Sequence, residues 1–212
     1  MKKFITFEGG EGTGKSTQAK LLSKSLSSIN ENNLLTREPG GTKVSDKIRK
    51  ILVEDKTSNI SPDVELLLIY ASRHQHLKEK IIPSLKEKTV ICDRYIHSTI
   101  SYQFDIKNFA KKLDFFHKNF AFNLMPDLTI LLDLAPDIGL KRSLKIKNKE
   151  TRFENKDKIY HEKIRKNFLK LSKKYKRLLL WDKKFIQLEF VWVIYDIRVR
   201  GGIDLKNCTV IF

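Results

Sequence analysis

Eight residues near the N-terminus, Gly9-Gly10-Glu11-Gly12-Thr13-Gly14-Lys15-Ser16, carry the spacing G-x-x-x-x-G-K-[ST]. That spacing suits one piece of chemistry, the wrapping of a nucleoside triphosphate's phosphates. Glycines at the bends let successive backbone N–H groups turn inward on phosphate oxygens. A helix beginning at the end of the run adds the positive end of its dipole. Lys15 is long enough to reach the β- and γ-phosphates, and the Ser16 hydroxyl is placed to hold Mg²⁺. Thr17 completes the expected ATP-contacting stretch.

The flanks supply what such a loop needs. Phe4–Phe7 reads as a short buried strand, and Ser16–Ser28 carries Ala19, Leu21, Leu22 and Leu26 at helical spacing. Further strand-like runs are Leu34–Thr36, Val90–Cys92, Leu128–Leu132 and Leu178–Trp181. Helical patterns over Val44–Val53, Val64–Lys86 and Phe109–Phe122 lie between them. Short apolar strands alternating with helices predict an α/β fold of three layers, a parallel sheet flanked by helices. In such sheets ligands gather beyond the carboxyl ends of the strands. Three polar runs stand there: Glu8–Ser16, Arg37-Glu38-Pro39-Gly40-Gly41-Thr42 and Asp93-Arg94-Tyr95. With no repeat, linker or low-complexity segment, residues 1–212 read as one domain.

The chain carries 42 Lys or Arg against 25 Asp or Glu, a net charge of +17. Residues 141–176 hold 15 of those basic residues and only 4 acidic ones, so most of the excess sits in one segment. It reads mainly as the solvated face of a helix, with a few arginines left for a cationic lid near residues 141–155. A nucleic-acid surface would interleave aromatics with the basic residues. Tyr160, Phe168 and Tyr175 instead fit the apolar side of a helix, which argues against a nucleic-acid partner. No apolar run of ~20 residues is present to span a membrane. The N-terminal apolar run stops at Glu8, too early for a signal peptide. Cys92 and Cys208 show no metal-type spacing, and the expected setting is a reduced cytoplasm.

Taken in order, the polar runs resemble thymidylate kinase, the family that phosphorylates dTMP to dTDP, over roughly residues 1–180. The resemblance rests on Phe7–Gln18, Thr36–Thr42, Ala71-Ser72-Arg73-His74-Gln75-His76 and Cys92-Asp93-Arg94-Tyr95. It continues through Ser98-Thr99, Tyr102-Gln103 and Pro126-Asp127-Leu128-Thr129. It implies a P-loop kinase fold, ATP as donor, dTMP as acceptor, Mg²⁺, a homodimer and a place in dTTP synthesis. Transfer between two nucleotides depends on positioning and charge neutralisation, and an arginine fork suits phosphate oxygens. The resemblance implies that Arg49, Arg73 and Arg94 surround the acceptor phosphate, although Arg49 would equally suit an exposed helix surface. Asp93, with Ser16, would meet Mg²⁺; its other reading is a helix N-cap. Glu11 and Glu38 are expected near the acceptor sugar, Glu38 reading otherwise as an exposed turn carboxylate. Ser98, Thr99, Tyr102 and Gln103 would read base and sugar, with the Tyr102 ring leaving no room for a 2′-hydroxyl.

The loop itself carries Glu11 and no arginine, so a catalytic cation is expected from the lid. Arg152 is the first candidate beside the catalytic Lys15, Asp93 and Arg94, with Arg142 second. Lys147 and Lys149 are expected to matter less, and all of these would otherwise belong to the solvated basic face. The chain departs from the family pattern in three places. Ile69 stands where a base-stacking phenylalanine is usual, and Phe104–Asn108 replaces a Gly- and Arg-containing loop. Residues 182–212 do not follow the family's C-terminal pattern; a frameshifted gene end or a family-specific strand or dimer contact would each produce such a tail. Other readings are a different nucleoside monophosphate or deoxynucleoside kinase, and a non-catalytic protein that binds nucleotide or nucleic acid. The Arg73, Asp93 and Arg94 set argues against the last, since a simple binder has no need of an acceptor site.

Overall fold

The computed structural model describes residues 2–53, 60–103, 107–144, 152–153, 156–175 and 178–181. Five strands form one sheet: β1 (Phe4–Glu8), β2 (Asn33–Arg37), β3 (Thr89–Asp93), β4 (Leu128–Leu132) and β5 (Leu178–Trp181). Their spatial order is β2-β3-β1-β4-β5, and every neighbouring pair is parallel. The inner strands β1, β3 and β4 fall on apolar runs that mark them as covered on both faces, while the edge strand β2 is mostly half-buried. All residues of β1 and β4 are buried.

The helices are α1 (Lys15–Ser28), α2 (Lys43–Val53), α3 (Pro62–His76), α4 (Ile82–Ser84), α5 (Ile96–Tyr102), α6 (Phe109–Phe120), α7 (Pro136–Leu144) and α8 (Lys158–Lys174). On one face of the sheet, Ile5, Phe7, Ile91 and Ile130 pack on Ala19, Leu22 and Leu26 of α1. On the other, Phe4, Val90 and Cys92 meet Leu66 and Tyr70 of α3 and Ile96 of α5. Leu131 on that face takes Ile164, Phe168 and Leu171 of α8. Each such side chain contributes roughly 1.5–3 kcal/mol by leaving water, so the sheet is a rigid base for the loops at its carboxyl edge.

The long helix expected over Val64–Lys86 is three pieces. After α3 comes a π-helical turn, Leu77–Ile81, and then the short α4. Pro83 has no N–H to give and its ring crowds the carbonyl four residues back, so the regular ladder cannot run through it. Two of the longer helices start on side-chain caps: Ser61 accepts from the Val64 N–H, and Asp157 accepts from the Tyr160 N–H. By contrast α1 begins on left-handed Gly14 with no side-chain cap, which leaves its first N–H groups for a ligand. Among the described residues no helix is long and apolar enough to cross a membrane.

Candidate active site

The glycine loop joins β1 to α1 at the middle of the sheet. It rests directly on α7: a Cβ added to Gly12 would lie 1.9 Å from the Gly139 carbonyl oxygen, and one on Gly139 would lie 2.3 Å from that of Glu11. Lys15 is buried, and its ammonium donates to the Gly10 carbonyl at 2.6 Å. Burial, then the neighbouring Arg94, pulls its pKa down to about 8, with Glu11 and Asp93 opposing them. Because β3 lies beside β1 with Phe7 opposite Asp93, the carboxylate ending β3 arrives at the start of α1. There the Ser16 hydroxyl donates to Asp93 Oδ2, while buried Oδ1 has no hydrogen-bond partner. Two adjacent oxygens with one acceptor unsatisfied suit Mg²⁺, which retains waters and phosphate oxygens and asks little of the protein. No cluster of three or more His, Cys, Asp or Glu among the described residues offers a cage of protein ligands alone.

Arg94 follows Asp93 with φ 71°, a left-handed conformation that costs a non-glycine residue about 1–3 kcal/mol. The bend sends successive side chains in different directions, Asp93 to Ser16 and Arg94 to the glycine loop. Arg94 Nη1 donates to the Gly9 carbonyl and to Ser98 Oγ, and Nη2 donates to Glu11 Oε1 at 2.8 Å. The Tyr102 hydroxyl also donates to Glu11 Oε1, and its ring lies under the guanidinium at 5.1 Å. Burial alone would raise the Glu11 pKa, but Arg94 and Lys15 outweigh it and bring the group to about 2. Behind them sits Glu8, fully buried, accepting from the Tyr95 N–H and the Ser98 hydroxyl. Burial raises its pKa despite Ser98 and Arg94.

Next to the loop opens a cavity of about 120 Å³. All ten residues expected around the acceptor line it: Glu11, Glu38, Arg49, Ile69, Arg73, Arg94, Ser98, Thr99, Tyr102 and Gln103. Leu52, Val53 and Phe153 complete an apolar side. At its inner end Arg73, 2% exposed, sits against the Tyr70 and Tyr95 rings. Its Nε donates to Glu38 Oε2 at 2.7 Å and its Nη2 to Thr99 Oγ1 at 3.0 Å, while buried Nη1 has no acceptor. Gln103 donates its amide N–H to Glu65 Oε1 at 2.6 Å, which fixes the amide's orientation and leaves buried Oε1 without a donor. Arg152 Nη2 grips the other Glu65 oxygen at 2.7 Å and Nη1 the Leu52 carbonyl.

These contacts change several expected roles. Arg73 presents no fork to a phosphate: its side chain is only 2% exposed, against 18% for the likewise carboxylate-paired Arg94, and its Nε and Nη2 are engaged by Glu38 and Thr99. Glu38 is buried rather than an exposed turn carboxylate, and its oxygens meet Arg73 and His76 instead of a sugar. Ser98 donates to Glu8 and accepts from Arg94, so its hydroxyl is occupied away from any base. Arg152 is tied to Leu52 of α2 and Glu65 of α3, not to the glycine loop. Arg142 lies exposed at the end of α7. Arg49 lines the cavity and donates to the Pro39 carbonyl. Lys147, Lys149, Phe104–Ile106 and the tail 182–212 lie outside the described residues. Sequence reasoning passed over Glu8, Glu65 and His76. Glu8 had a signal, since a carboxylate ending a wholly apolar strand is buried and needs donors.

The chain can now be set beside known proteins. Residues 7–186 match the family model described as thymidylate kinase. The thymidylate kinase of Acholeplasma laidlawii is 40% identical over 178 residues, covering 84% of this chain and 88% of that protein. That of Desulforapulum autotrophicum is 41% identical over 212 residues, covering 95% and 93%. The crystal structure of thymidylate kinase from Ehrlichia chaffeensis superposes with a TM-score of 0.72 at 33% identity, over 91% of this chain and 98% of that one. Glycine loop, acidic strand end and arginine-lined cavity thus occur in a chain alike in sequence and fold to these enzymes, and the chain belongs to the thymidylate kinase family.

Proposed function

We propose that the protein transfers the γ-phosphoryl group of ATP to dTMP, giving ADP and dTDP on the route to dTTP. One observation supports the choice of base: among the described residues that line the cavity, the buried side-chain atoms without a partner are a donor, Arg73 Nη1, and an acceptor, Gln103 Oε1. Thymine presents an acceptor, O4, beside a donor, N3–H, and satisfies both. Cytosine presents the reverse order, a donor amine beside an acceptor nitrogen, and leaves both unpaired. Ile69 and Phe153 supply apolar surface for the base. The Tyr102 ring, fixed by Glu11 and Arg94, would leave no room for a 2′-hydroxyl on the acceptor sugar.

The acceptor needs no general base, since a monophosphate, with second pKa ≈ 6, is largely dianionic at pH 7. A dTMP phosphate oxygen forms its bond to the γ-phosphorus as the bond to the β-phosphate oxygen breaks, and ADP leaves. Lys15 and the uncapped start of α1 hold the β- and γ-phosphates. Arg94, which borders both loop and cavity, is the guanidinium best placed between the two nucleotides, with Arg49 on the acceptor side. Mg²⁺ held by Ser16 and Asp93 would neutralise charge on the donor phosphates. Arg152 would fasten a lid near residues 141–155 over the acceptor. A homodimer would cover the exposed Val64 and Leu67 of α3 and Phe115, Phe120 and Phe122 in and after α6.

The test is ADP release with dTMP, dUMP and dCMP as acceptors. Each unpaired buried group costs about 1–3 kcal/mol, so kcat/KM for dCMP should fall on the order of 10²-fold or more below dTMP. Loss of one methyl costs about 0.8 kcal/mol, so dUMP should trail dTMP only several-fold. A dCMP value close to that of dTMP would remove the base assignment.

A further inference from the structure

We propose that His76 is a positioning residue for base recognition, holding the base-reading guanidinium of Arg73 in place through Glu38. The inference rests on the assignment of Arg73 Nη1 to thymine O4. His76 ends α3 and is fully buried. Its Nδ1 lies 3.3 Å from Glu38 Oε1, and its Nε2 lies 2.7 Å from Thr36 Oγ1 on β2. Thr36, His76, Glu38 and Arg73 therefore form one unbroken buried chain, each no more than 7% exposed.

The direction of the hydrogen bonds follows from chemistry. An ionised Glu38 only accepts, so His76 Nδ1 carries the hydrogen in that contact, and Nε2 accepts from the Thr36 hydroxyl. Glu38 is then held by two donors, His76 on one oxygen and Arg73 Nε on the other. With both oxygens fixed, the carboxylate holds Nε alone, Nη2 stays on Thr99 Oγ1, and buried Nη1 has no partner. Side-on pairing through Nε and Nη2, as Arg165 makes with Asp133, would draw Nη2 off Thr99 and turn the guanidinium; His76 prevents it. The position is also sterically set: a Cβ on Gly41, φ 94°, would lie 2.4 Å from His76 Nε2, so this turn accepts the imidazole only as glycine.

Four variants test the inference by steady-state kinetics with dTMP, dCMP and ATP. His76→Leu should raise KM for dTMP on the order of tenfold and shrink the preference for dTMP over dCMP. Its kcat and KM for ATP should stay near wild type. Asparagine can place an amide N–H near the position of Nδ1, so His76→Asn should recover most of both losses. Thr36→Val should shift both quantities in the same direction by less, and it decides the matter if His76→Leu does not fold. Nitrogen-15 NMR of the imidazole should show the Nδ1–H tautomer. A folded His76→Leu with wild-type KM and selectivity, or an asparagine variant as impaired as leucine, overturns the proposal. Arg73→Lys separates the two layers. If Arg73→Lys loses base preference while His76→Leu keeps it, only the positioning role falls; if Arg73→Lys keeps it, the base assignment falls as well.

Discussion

Gln103→Met isolates the acceptor half of the base-reading pair. Methionine keeps the length of the side chain and removes both amide atoms. Two contacts are then lost: the one Oε1 would make to thymine N3–H, and the one Nε2 makes to Glu65 Oε1. The second is missing equally in the free and dTMP-bound protein, so it lowers stability but cancels from binding. The first remains: a buried N–H of the ligand without an acceptor, at about 1–3 kcal/mol. Since 1.4 kcal/mol is tenfold, kcat/KM for dTMP should fall roughly 5- to 150-fold. Most of the fall should appear in KM, and KM for ATP should hold. Coupled ADP release measures the kinetics, and a thermal melt measures the separate stability loss, which Arg152 limits by keeping its hold on the other Glu65 oxygen. A folded variant with KM for dTMP within about twofold of wild type would show that Oε1 does not face N3–H.

Lys15→Ala should lower kcat on the order of 10²-fold or more with an unchanged circular dichroism spectrum. Because its pKa is lowered to about 8, ATP affinity should weaken as pH rises through 8, where the ammonium loses its proton, and titration calorimetry between pH 7 and 9 would show no such slope if the lysine does not meet phosphate. The sign for stability is opposite: between about pH 8 and the ordinary lysine value the unfolded chain binds the proton that the folded chain has lost, so this group favours folding increasingly as pH rises. Arg152→Ala, freeing Glu65 and the Leu52 carbonyl, should raise KM for dTMP with little change in kcat; a loss confined to kcat would place Arg152 at the transferred phosphoryl group after all.

The sheet was legible because its central parallel strands are buried on both faces and announce themselves as apolar runs; the edge strand β5 shows the same kind of run although its Leu180 is 40% exposed. The break at Pro83 was legible in principle, since proline ends a regular ladder wherever it stands. That these residues gather at one place was legible through motif resemblance: all ten expected around the acceptor line one cavity. What each side chain does there was not. Whether Arg73 meets a phosphate or a base depends on Glu38 lying within 2.7 Å of it, and that distance is set by how α3 packs against the turn after β2. Ser98 shows the same limit: a hydroxyl near a binding site looks available until the buried carboxylate of Glu8 behind it is seen. Partners of buried charges are tertiary facts.

The meeting of Gly12 with Gly139 has a consequence for how this enzyme can vary. Most interfaces within a protein drift by small exchanges of side chains, each compensated by a neighbour. Here loop and α7 touch backbone to backbone, with no side chain on either glycine. A single methyl at either position acts as a wedge more than 1 Å too thick, and no neighbouring substitution can thin the opposing carbonyl. α7 is thus geared to the glycine loop by a joint with no adjustable part, and inherited change there is all or nothing.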